Sequence, residues 1–460
     1  MNVLDPDERR VTVSGWGRTT HRQCLVRRPL SEEDVVRAVR QAPRLTVRGA
    51  GLSYGDAALP ERGTLLDMTA RRKVLSFDET TGIIVVESGV TLADIVREAM
   101  PKGWFPPVLP GTAGVTVGGA IACDVHGKNH PGSGSFGLHV VWLSLLRSDG
   151  AVAHLSPGED ADGFWATVGG MGLTGVILRA AIQLQRTQTG WAVRRRTRTH
   201  SWDETVELMI ALQARQELDP DLHVVAWLDT QASGRRLGRG IVDESRPALI
   251  TDLPPTVDLM PKPAGGVGRR VARSLPGPGV MFGASIAAAT STRWHLTKSE
   301  EKRILPLTTA LCPLDQVRSW PAAFGRKGLV QYQLVVPAGA APTLFQVLAT
   351  LIGRRMVPAL TTLKNLGYGT AGPLSFPIPG MTLAVDLPAR WLQNGTSLRA
   401  VDAIVADAGG RVYLAKDSVA DPELIPRMYP RLEAWRRTRT RLDPDHRLNS
   451  ALAQRLRLLT

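Results

Sequence analysis

Three glycine-rich loops lie within ninety residues of one another, and each follows strand-like sequence. The first loop, Arg48–Asp56, comes directly after the apolar run that begins at Leu45, the second is Pro110–Ala122, and the third is Gly132–Gly137. Closely spaced glycines let backbone N–H groups point into one concavity, which suits a phosphate. Any one loop is equally typical of a plain turn. The three together favour a fold that binds a large phosphate-bearing cofactor.

Details of these loops sharpen that expectation. Ser53 and Tyr54 add hydroxyl donors to the first loop, and Gly118-Gly119 is expected to open a short helix whose N-terminus favours an anion. Gly170–Gly175 has the formal G-x-G-x-x-G pattern, but strand-like residues follow it. The region about 20 residues further on, where a dinucleotide fold needs an acid, is rich in arginine. The pattern therefore disfavours a Rossmann-type site.

Length and composition indicate a globular protein of two or three domains. The chain has 460 residues, of which 43% are hydrophobic and 21% charged, and no run of about 18 apolar residues occurs. The N-terminus is charged and lacks the apolar segment of a signal peptide. We therefore expect a cytoplasmic protein, with association to a membrane surface as a further interpretation. Cys24, Cys123 and Cys312 are too scattered for a disulfide scaffold or zinc site, and we expect them to be small buried hydrophobic residues.

The formal net charge is +14, and arginines cluster at Arg194–Arg198, Arg269–Arg273 and Arg436–Arg441. A solvated arginine-rich surface is the favoured interpretation. Attraction to an anionic substrate or lipid headgroup is the next. No helix-turn-helix, zinc-finger or stacking-aromatic pattern accompanies the clusters, so we expect no nucleic acid partner.

Periodicity predicts an α+β protein with a first domain, a middle domain and a short C-terminal return. The predicted helices are Glu32–Gln41 behind a Ser31 cap and Thr91–Met100, and the predicted strands include Leu45–Arg48, Ile83–Val90, Val140–Arg147, Val152–Leu155, Val176–Leu184 and Arg411–Leu414. The character of the chain changes near residue 190. The irregular stretch Pro254–Gly283 is a candidate mobile lid.

Two further groups of residues carry chemistry. His126 and His130 lie four residues apart, which on a helix would suit a metal, but glycine, asparagine and proline around them disfavour a helix. We therefore expect no metal, and a structural or cofactor-contacting role for His126. Lys416 and Asp417 follow a predicted strand, where local sequence alone indicates a solvated pair.

Several segments together resemble a known family. They are Arg48–Asp56, Pro110–His130, Phe164–Gly175, Ser375–Gly380, Tyr413–Ser418, Met428–Arg431 and Leu442–Pro444. The chain resembles FAD-dependent oxidoreductases of the vanillyl-alcohol oxidase/p-cresol methylhydroxylase type. Within that family it is most similar to the branch that oxidises the 2′-hydroxyl of polyprenylphosphoryl ribose during epimerisation. The resemblance implies a two-part FAD-binding domain, made of 1–188 and the return 411–460. It also implies an inserted substrate-binding domain, 189–410, with an antiparallel sheet and flanking helices.

The resemblance also implies roles for individual residues. The cofactor contacts would be Gly49, Gly51, Ser53, Tyr54, Gly55, Gly111, Thr112, Thr116, Gly118, Gly119, Cys123, Gly127, Ile177 and Lys416. The substrate contacts would be His126, Lys128, Trp227, Gln331, Gln333, Lys364 and Asn365. Many relatives attach FAD covalently through a histidine where this chain has Leu52, so the resemblance implies non-covalent FAD.

The implied reaction is oxidation of a secondary sugar hydroxyl to a ketone by hydride transfer to flavin N5. Lys416 would stabilise the developing negative charge, and His126, Lys416 or water would accept the proton. A reductase that completes the epimerisation is an implied partner.

Two departures from the family pattern, Ala384 in place of a cysteine and Leu311–Asp315 without its aromatic residue, keep an alternative open. That alternative is a soluble sugar, aminocyclitol or nucleoside alcohol of a biosynthetic pathway. A non-catalytic flavin-binding module is a third interpretation, which the presence of Lys416, His126 and Lys128 disfavours.

Overall fold

A computed structural model describes residues 8–261, 283–316, 320–391 and 398–459. Most of the stretch Pro254–Gly283, which the sequence suggests as a lid, lies outside these described residues. No helix in the described ranges is long and apolar enough to cross a membrane.

The N-terminal part of the chain, from β1 to β11, forms two main sheets. The strands are β1 (Glu8–Ser14), β2 (His21–Arg27), β3 (Leu45–Arg48), β4 (Thr64–Asp67), β5 (Val74–Asp78), β6 (Ile83–Glu87), β7 (Trp104–Phe105), β8 (Val140–Leu146), β9 (Val152–Leu155), β10 (Val176–Gln183) and β11 (Gln185–Arg186). A four-stranded sheet has the order β1-β2-β4-β3, with β2 and β3 parallel to β4. A five-stranded antiparallel sheet has the order β5-β6-β10-β8-β9, and β7 pairs with β11. The glycine loops connect these strands.

Side chains cap most of the α-helices of this N-terminal part. The helices are α1 (Glu32–Gln41), α2 (Leu92–Ala99), α3 (Val117–Ala122), α4 (His130–Ser133) and α5 (Ala161–Thr167). Ser31 caps α1 and Thr91 caps α2, each in a capping box with the aspartate three residues on. Both helices are confirmed as predicted from the sequence. The strand pair Val140–Arg147 with Val152–Leu155 is confirmed too, ending one residue early as β8.

The middle of the chain builds one eight-stranded sheet, in which every pair is antiparallel. Its strands are β12 (Trp191–Thr199), β13 (His223–Leu228), β14 (Gly240–Pro247), β15 (Glu301–Pro306), β16 (Leu329–Pro337), β17 (Leu360–Leu366), β18 (Gly380–Pro388) and β19 (Arg411–Val412), in the order β15-β12-β14-β13-β17-β18-β16-β19. The accompanying helices are α6 (Trp202–Leu218), α7 (Gly283–Leu296), α8 (Leu307–Leu311), α9 (Pro342–Gly353) and α10 (Arg399–Asp407).

The two faces of this sheet have different neighbours. One face packs on helices, where the Tyr332 hydroxyl donates to Asp402 Oδ1 of α10 at 2.6 Å. The other face meets the N-terminal part of the chain, where Gln333 on β16 contacts His126. Because side chains alternate along a strand, adjacent residues of β16 and β17 serve different faces. The predicted strand Arg411–Leu414 is shorter in the structure, since only β19 pairs there.

After β19 the chain returns to the N-terminal part through α11 (Ile425–Met428), α12 (Leu432–Leu442) and α13 (Ala451–Arg455). The Leu45 N–H donates to Arg447 O at 2.8 Å, and Trp435 Nε1 donates to Ala166 O at 3.0 Å. Arg455 bridges Asp56 of the first glycine loop at 2.7 Å and Asp417 at 2.8 Å. The domain limits at residues 188 and 411 stay predictions.

Several local expectations are wrong. Asp417 is buried and paired with Arg455, so the Lys416–Asp417 step is not a solvated pair. Cys24 and Cys312 are buried as expected, but Cys123 is only partly buried. Within the arginine clusters, Arg439 is buried against Asp443. Ion pairing and burial, rather than solvation alone, therefore account for part of the arginine content.

Candidate active site

The first glycine loop presents a row of unused donors. Among the hydrogen bonds of the described residues, the backbone N–H groups of 49–53 have no protein acceptor. Gly51 has φ of 68°, a left-handed conformation that favours glycine. Gly55 lies so close to Asp417 that a Cβ would overlap the Asp417 carbonyl oxygen. The loop is thereby held against the turn that carries Lys416.

The second loop adds two more donors, but its short helix does not. The N–H groups of Gly111 and Thr112 have no acceptor among the described residues. Gly118-Gly119 does lie in a helix, α3, as predicted. Its first-turn N–H groups are already bonded, Val117 to Val90 O, Gly118 to Ser88 O and Gly119 to Thr116 Oγ1. The expectation that this helix N-terminus receives an anion is therefore wrong.

The third loop serves packing instead of the cofactor. The N–H groups of Gly132, Gly134 and Gly137 all have protein acceptors. A Cβ at Gly132 would overlap Gln216 O on α6. This loop packs against α6, and its glycine N–H groups are already bonded, so the prediction that it supplies free backbone is wrong.

The remaining predicted cofactor residues fall on both sides of these loops. Thr116 lies against Gly49, where a Cβ would overlap its hydroxyl, so the first two loops touch. Burial raises the pKa of the Cys123 thiol to about 11, although the nearby Ser53 and Lys416 oppose this. Ile177 is buried on β10 at an irregular step in its pairing with β8.

His126 sits in a fixed network under the sheet. Gln333 Nε2 lies 3.0 Å from His126 Nε2 and also donates to Thr382 Oγ1 at 3.1 Å. The amide nitrogen Nε2 of Gln333 can only donate hydrogen bonds. His126 Nε2 therefore accepts, and the ring hydrogen resides on His126 Nδ1. That Nδ1 is buried and has no partner among the described residues. Burial, together with Lys364, His130 and Lys416, holds the pKa of His126 well below 6.5, so the ring is neutral.

Two lysines, Lys364 and Lys416, lie near His126, since the charge of each lowers the pKa of its ring. Lys416 Nζ lies 4.2 Å from the centre of the Tyr54 ring. Burial lowers the pKa of Lys416 to about 8, although the Asp386 carboxylate favours its charged form. Burial and the charges of Lys416 and Lys128 lower the pKa of Lys364 to about 7. Of Lys364 and Lys416, Lys364 therefore gives up its proton more easily.

Gln331 joins the same group through Asp386. Gln331 Nε2 donates to Asp386 Oδ1 at 2.6 Å, and Trp320 Nε1 donates to Asp386 Oδ2 at 2.8 Å. Burial raises the pKa of Asp386 and raises that of Tyr54 well above 10. A neutral phenol and a tethered carboxyl thus flank Lys416.

Strand register decides which predicted substrate residues share this face. Lys364 pairs with Thr382, Gln333 with Ala384, and Trp227 with Thr362, and paired residues point to one side. Ala384, the position of the missing family cysteine, therefore lies on the site face beside Gln333.

Asn365, in contrast, points to the opposite face. Its side chain is buried and donates to Met209 O at 2.7 Å and to Gln216 Oε1 at 3.2 Å. The side chain therefore lies outside the group that the other predicted residues form. The cause is the period of two along β17, which separates it from Lys364.

Lys128 lies at the far edge of the same group. Its Nζ donates to Ala310 O at 3.1 Å, and burial lowers its pKa. Cys312, in the second segment that departs from the family, packs there and donates to Pro110 O at 3.3 Å. Both departures from the family pattern thus border the site.

Sequence reasoning missed several residues that position the site. Asp124 has φ of 42° and is buried, and it accepts from Ser375 Oγ at 2.5 Å and Thr370 Oγ1 at 2.8 Å. Phe376 and Tyr413 lie 5.5 and 5.3 Å from the His126 ring, centre to centre. Asp124, Phe376 and Tyr413 all occur inside segments that carry the family resemblance, which is the signal that could have found them.

The residues present fit FAD. Free backbone donors on two touching loops suit the pyrophosphate, and the partly buried Lys416 and the buried Tyr54 border them. Leu52 offers no nucleophilic atom for a covalent bond. Within the described ranges no cluster of three histidine, cysteine or carboxylate side chains is placed to hold a metal.

Comparisons with known proteins agree with this geometry. The model of the FAD binding domain matches residues 24–156. Decaprenylphosphoryl-β-D-ribose oxidase of Mycolicibacterium smegmatis is 36% identical over 453 residues, which cover 97% of each chain. L-gulono-1,4-lactone dehydrogenase of Mycobacterium tuberculosis is 22% identical over 94% of this chain and 96% of its own. L-gulonolactone oxidase of Mus musculus is 32% identical over 148 residues, 32% of this chain and 33% of its own.

The end-to-end similarity confirms the family that the motifs indicate. FAD is the cofactor, and the protein is an oxidoreductase that acts on a CH–OH group of a sugar. The chain belongs to the family of FAD-dependent oxidoreductases that includes decaprenylphosphoryl-β-D-ribose oxidase.

Proposed function

We propose that the protein oxidises the 2′-hydroxyl of a polyprenylphosphoryl ribose to a ketone. The observation that carries the proposal is the 36% identity, over 97% of the chain, to decaprenylphosphoryl-β-D-ribose oxidase. Lys364 and Gln333 share one face of the sheet, and His126 is bonded to Gln333 there. The charge of Lys416 acts on both Lys364 and His126, and this grouping supports the proposal. In this proposal residues 1–188 and 411–460 bind FAD, and residues 189–410 bind the substrate.

The two touching loops hold non-covalent FAD in this proposal. Backbone N–H groups of 49–53 and 111–112 bind the pyrophosphate, with Ser53, Thr116, Cys123, Gly127, Ile177 and the loop glycines lining the groove. FAD held there would supply the acceptor for the hydride that leaves the sugar carbon. Lys416, charged below its pKa of about 8, stabilises negative charge that develops next to it.

The proton of the substrate hydroxyl needs an acceptor, and the hydrogen bond between Gln333 and His126 disfavours His126 in that role. His126 Nε2 already accepts from Gln333, so we assign the ring the task of orienting the substrate through its Nδ1–H. Lys364, with a pKa of about 7, holds a free amine in part of the molecules at neutral pH. We therefore propose that Lys364 takes the proton while Lys416 keeps its own.

Two partners follow from the reaction proposed. A 2′-ketone becomes the epimer only after reduction from the other face, so a reductase is the expected partner. A prenyl chain places the substrate at a membrane, so the basic chain would meet an anionic bilayer surface. Both partners rest on the substrate proposed.

One observation favours a second candidate. Ala384 lies beside Gln333 on the site face, where the family pattern has a cysteine. A smaller residue there leaves more room near the reacting sugar. The second candidate substrate is therefore a soluble sugar, aminocyclitol or nucleoside alcohol with the same oxidation chemistry.

Anaerobic titration of the FAD-loaded protein separates the candidates. A short-chain prenylphosphoryl ribose should bleach the flavin absorption at once, whereas free ribose, aminocyclitols and nucleosides should not. Bleaching by a soluble alcohol, with none by the prenylphosphoryl ribose, would transfer the proposal to the second candidate. The 2′-deoxy analogue is the matched control, since it keeps the phosphate and prenyl chain and lacks the hydroxyl.

A further inference from the structure

A cluster of cationic side chains lies beside the site, on the same sheet face. Strand register aligns Arg194 with Ser245 and His223, and Arg196 with Asp243 and Val225, across β12, β14 and β13. On β13, Trp227 lies four positions after His223 and two after Val225, so all three point to the same side of the sheet. Arg194 and Arg196 therefore point to that side as well.

Two more cations reach this face from other elements. The Arg293 guanidinium of α7 lies 4.6 Å from the centre of the Trp227 ring. Lys128 approaches beside Cys312, where its Nζ is bonded to Ala310 O. The four cations Lys128, Arg194, Arg196 and Arg293 define what we name the cationic cluster.

The cluster holds far more positive than negative charge. Asp243 binds Arg196 Nε at 2.6 Å and is the carboxylate inside the cluster. Glu301, which faces Arg196 across β15, binds Arg303 at 2.7 Å instead. The pKa of His223 falls to about 3 through burial and the charge of Lys128, so this ring adds no charge.

Most of these cations lack an anionic partner. Among the hydrogen bonds and ion pairs of the described residues, Arg194, Arg293 and Lys128 have no carboxylate. Burial and neighbouring arginines lower the pKa of both Arg194 and Arg293, as expected for like charges held together. Arg293 as a whole remains exposed although its guanidinium packs on the Trp227 ring, so a ligand can reach the cluster from this side. Uncompensated cations held together cost free energy unless an anion completes them.

The cluster adjoins the reacting group without being part of it. Neighbouring strands are about 4.8 Å apart, so the β14 column lies about 10 Å from the Lys364 column on β17. Lys128 connects the two, since its charge acts on both Lys364 and His223. Because lysine and arginine side chains are long, an anion bound by the cluster and a sugar bound at Lys364 can be parts of one substrate molecule.

We propose that the cationic cluster binds the phosphate ester of the substrate and so selects phosphorylated prenyl sugars over uncharged ones. This inference rests on the proposed function, because it assigns the recognition of that substrate. Planar guanidinium groups bind phosphate oxygens in pairs, which suits Arg194 and Arg293. Arg196, held by Asp243, fixes the far side of the cluster.

Binding of farnesyl phosphate to the FAD-loaded protein, measured by calorimetry, tests the proposal without turnover. Arg194→Gln and Arg293→Gln should each raise the Kd at least tenfold. Arg195→Gln is the matched control, because Arg195 is the next residue of β12, points to the other face and pairs with Glu300. It should leave the Kd unchanged. Arg194→Lys should restore part of the affinity.

Two further arms identify what the cluster recognises. Farnesol should bind equally to the parent and Arg194→Gln, and inorganic phosphate should compete with farnesyl phosphate in the parent only. Equal Kd values for farnesyl phosphate in the parent, Arg194→Gln and Arg293→Gln would overturn the proposal. So would a failure of the parent to bind farnesyl phosphate.

The proposed function fails separately, if the parent flavin is not reduced by a prenylphosphoryl ribose. Melting temperature and flavin content of each variant show whether it is folded. Loss of affinity at Arg293→Gln, on α7, then supports the proposal independently of any damage at Arg194 on β12.

Discussion

The cofactor side and the substrate side of the site present different kinds of groups. On the cofactor side, the first two glycine loops offer backbone N–H groups, which are uncharged and fixed by the turn of the chain. On the substrate side, the sheet offers lysine, arginine, glutamine and histidine side chains. Backbone donors depend on glycine positions that are visible in the sequence. Side-chain clusters depend on strand register, which brings residues far apart in the chain into one group, such as His126 and Gln333.

The largest expected effect is on the rate of flavin reduction, when Lys416 is replaced. This change should separate the role of the substrate side from FAD binding by the loops. Lys416→Met removes the charge beside Tyr54 and leaves the free N–H groups of the loops intact. We expect flavin reduction to slow by about 10²–10³-fold, as on loss of one preorganised electrostatic group, with FAD retained. Rapid-mixing measurements of flavin reduction and the flavin-to-protein ratio check this. Lys327→Met, at an exposed lysine, is the control. Reduction at the parental rate would revive the non-catalytic interpretation.

The second prediction acts on the cofactor side. In Gly55→Ala the new Cβ overlaps the Asp417 carbonyl oxygen, so the first loop must move away from Lys416. Overpacking of this kind costs about 1–3 kcal/mol, so we expect the Kd of FAD to rise about 5- to 150-fold. Flavin retained through gel filtration measures it.

Gly339→Ala is the matched control for that variant, because a Cβ there meets nothing within 4 Å. Its flavin content should equal that of the parent. If Gly55→Ala also retains full FAD with an unchanged Kd, the loop does not bind the cofactor through its backbone geometry.

The third prediction uses the two lysine pKa values. Lys364 must lose its proton, so the rate of flavin reduction should rise as pH increases through about 7. Lys416 must keep its proton, so the rate should fall as pH increases through about 8. One unit beyond each pKa the rate should be about tenfold lower.

Lys416→Arg sharpens this test, since a guanidinium stays charged throughout the range. The falling limb should disappear from the measured pH range while the rising limb stays near pH 7. An unchanged falling limb would assign that ionisation to another group.

Of the substitutions at Lys416, Gly55 and Gln333, the smallest effect is expected at Gln333. Gln333→Leu removes the donor to His126 Nε2 and to Thr382 Oγ1. Loss of hydrogen bonds of about 1–2 kcal/mol in all predicts a 5- to 30-fold lower kcat/KM, since His126 is no longer oriented. Gln331→Leu, which loses the bond to Asp386, tests whether the effect is specific to His126. Steady-state kinetics of both variants measure the difference.

Much of the fold was predictable because its signals are local. Ser31 and Thr91 cap helices through residues three positions away, and both helices begin as predicted. The backbone donors of the first two loops follow from glycine spacing in the same way. The third loop failed because its donors are taken by residues of the loop and its flanks and by α6 packing.

The substrate side was harder to predict because its signals are not local. The family resemblance identified Lys364 and Asn365 together, but the period of two on β17 sends their side chains to opposite faces. Lys416 and Asp417 were expected in solvent, since nothing in the local sequence shows that Arg455 pairs with Asp417 or that Tyr54 covers Lys416. The cationic cluster was not predictable from the arginine-rich sequence of β12, because it also depends on β14 and α7 lying beside that strand.

The most direct test of the proposed oxidation follows one hydrogen atom. A short-chain prenylphosphoryl ribose carrying deuterium at C2 of the sugar is mixed with the FAD-loaded protein without oxygen. We expect the flavin to bleach and the product to be the 2′-ketone without that deuterium, because the hydride leaves from this same carbon of the sugar. A product that keeps the deuterium, or a flavin that stays oxidised, would contradict the oxidation proposed for this protein.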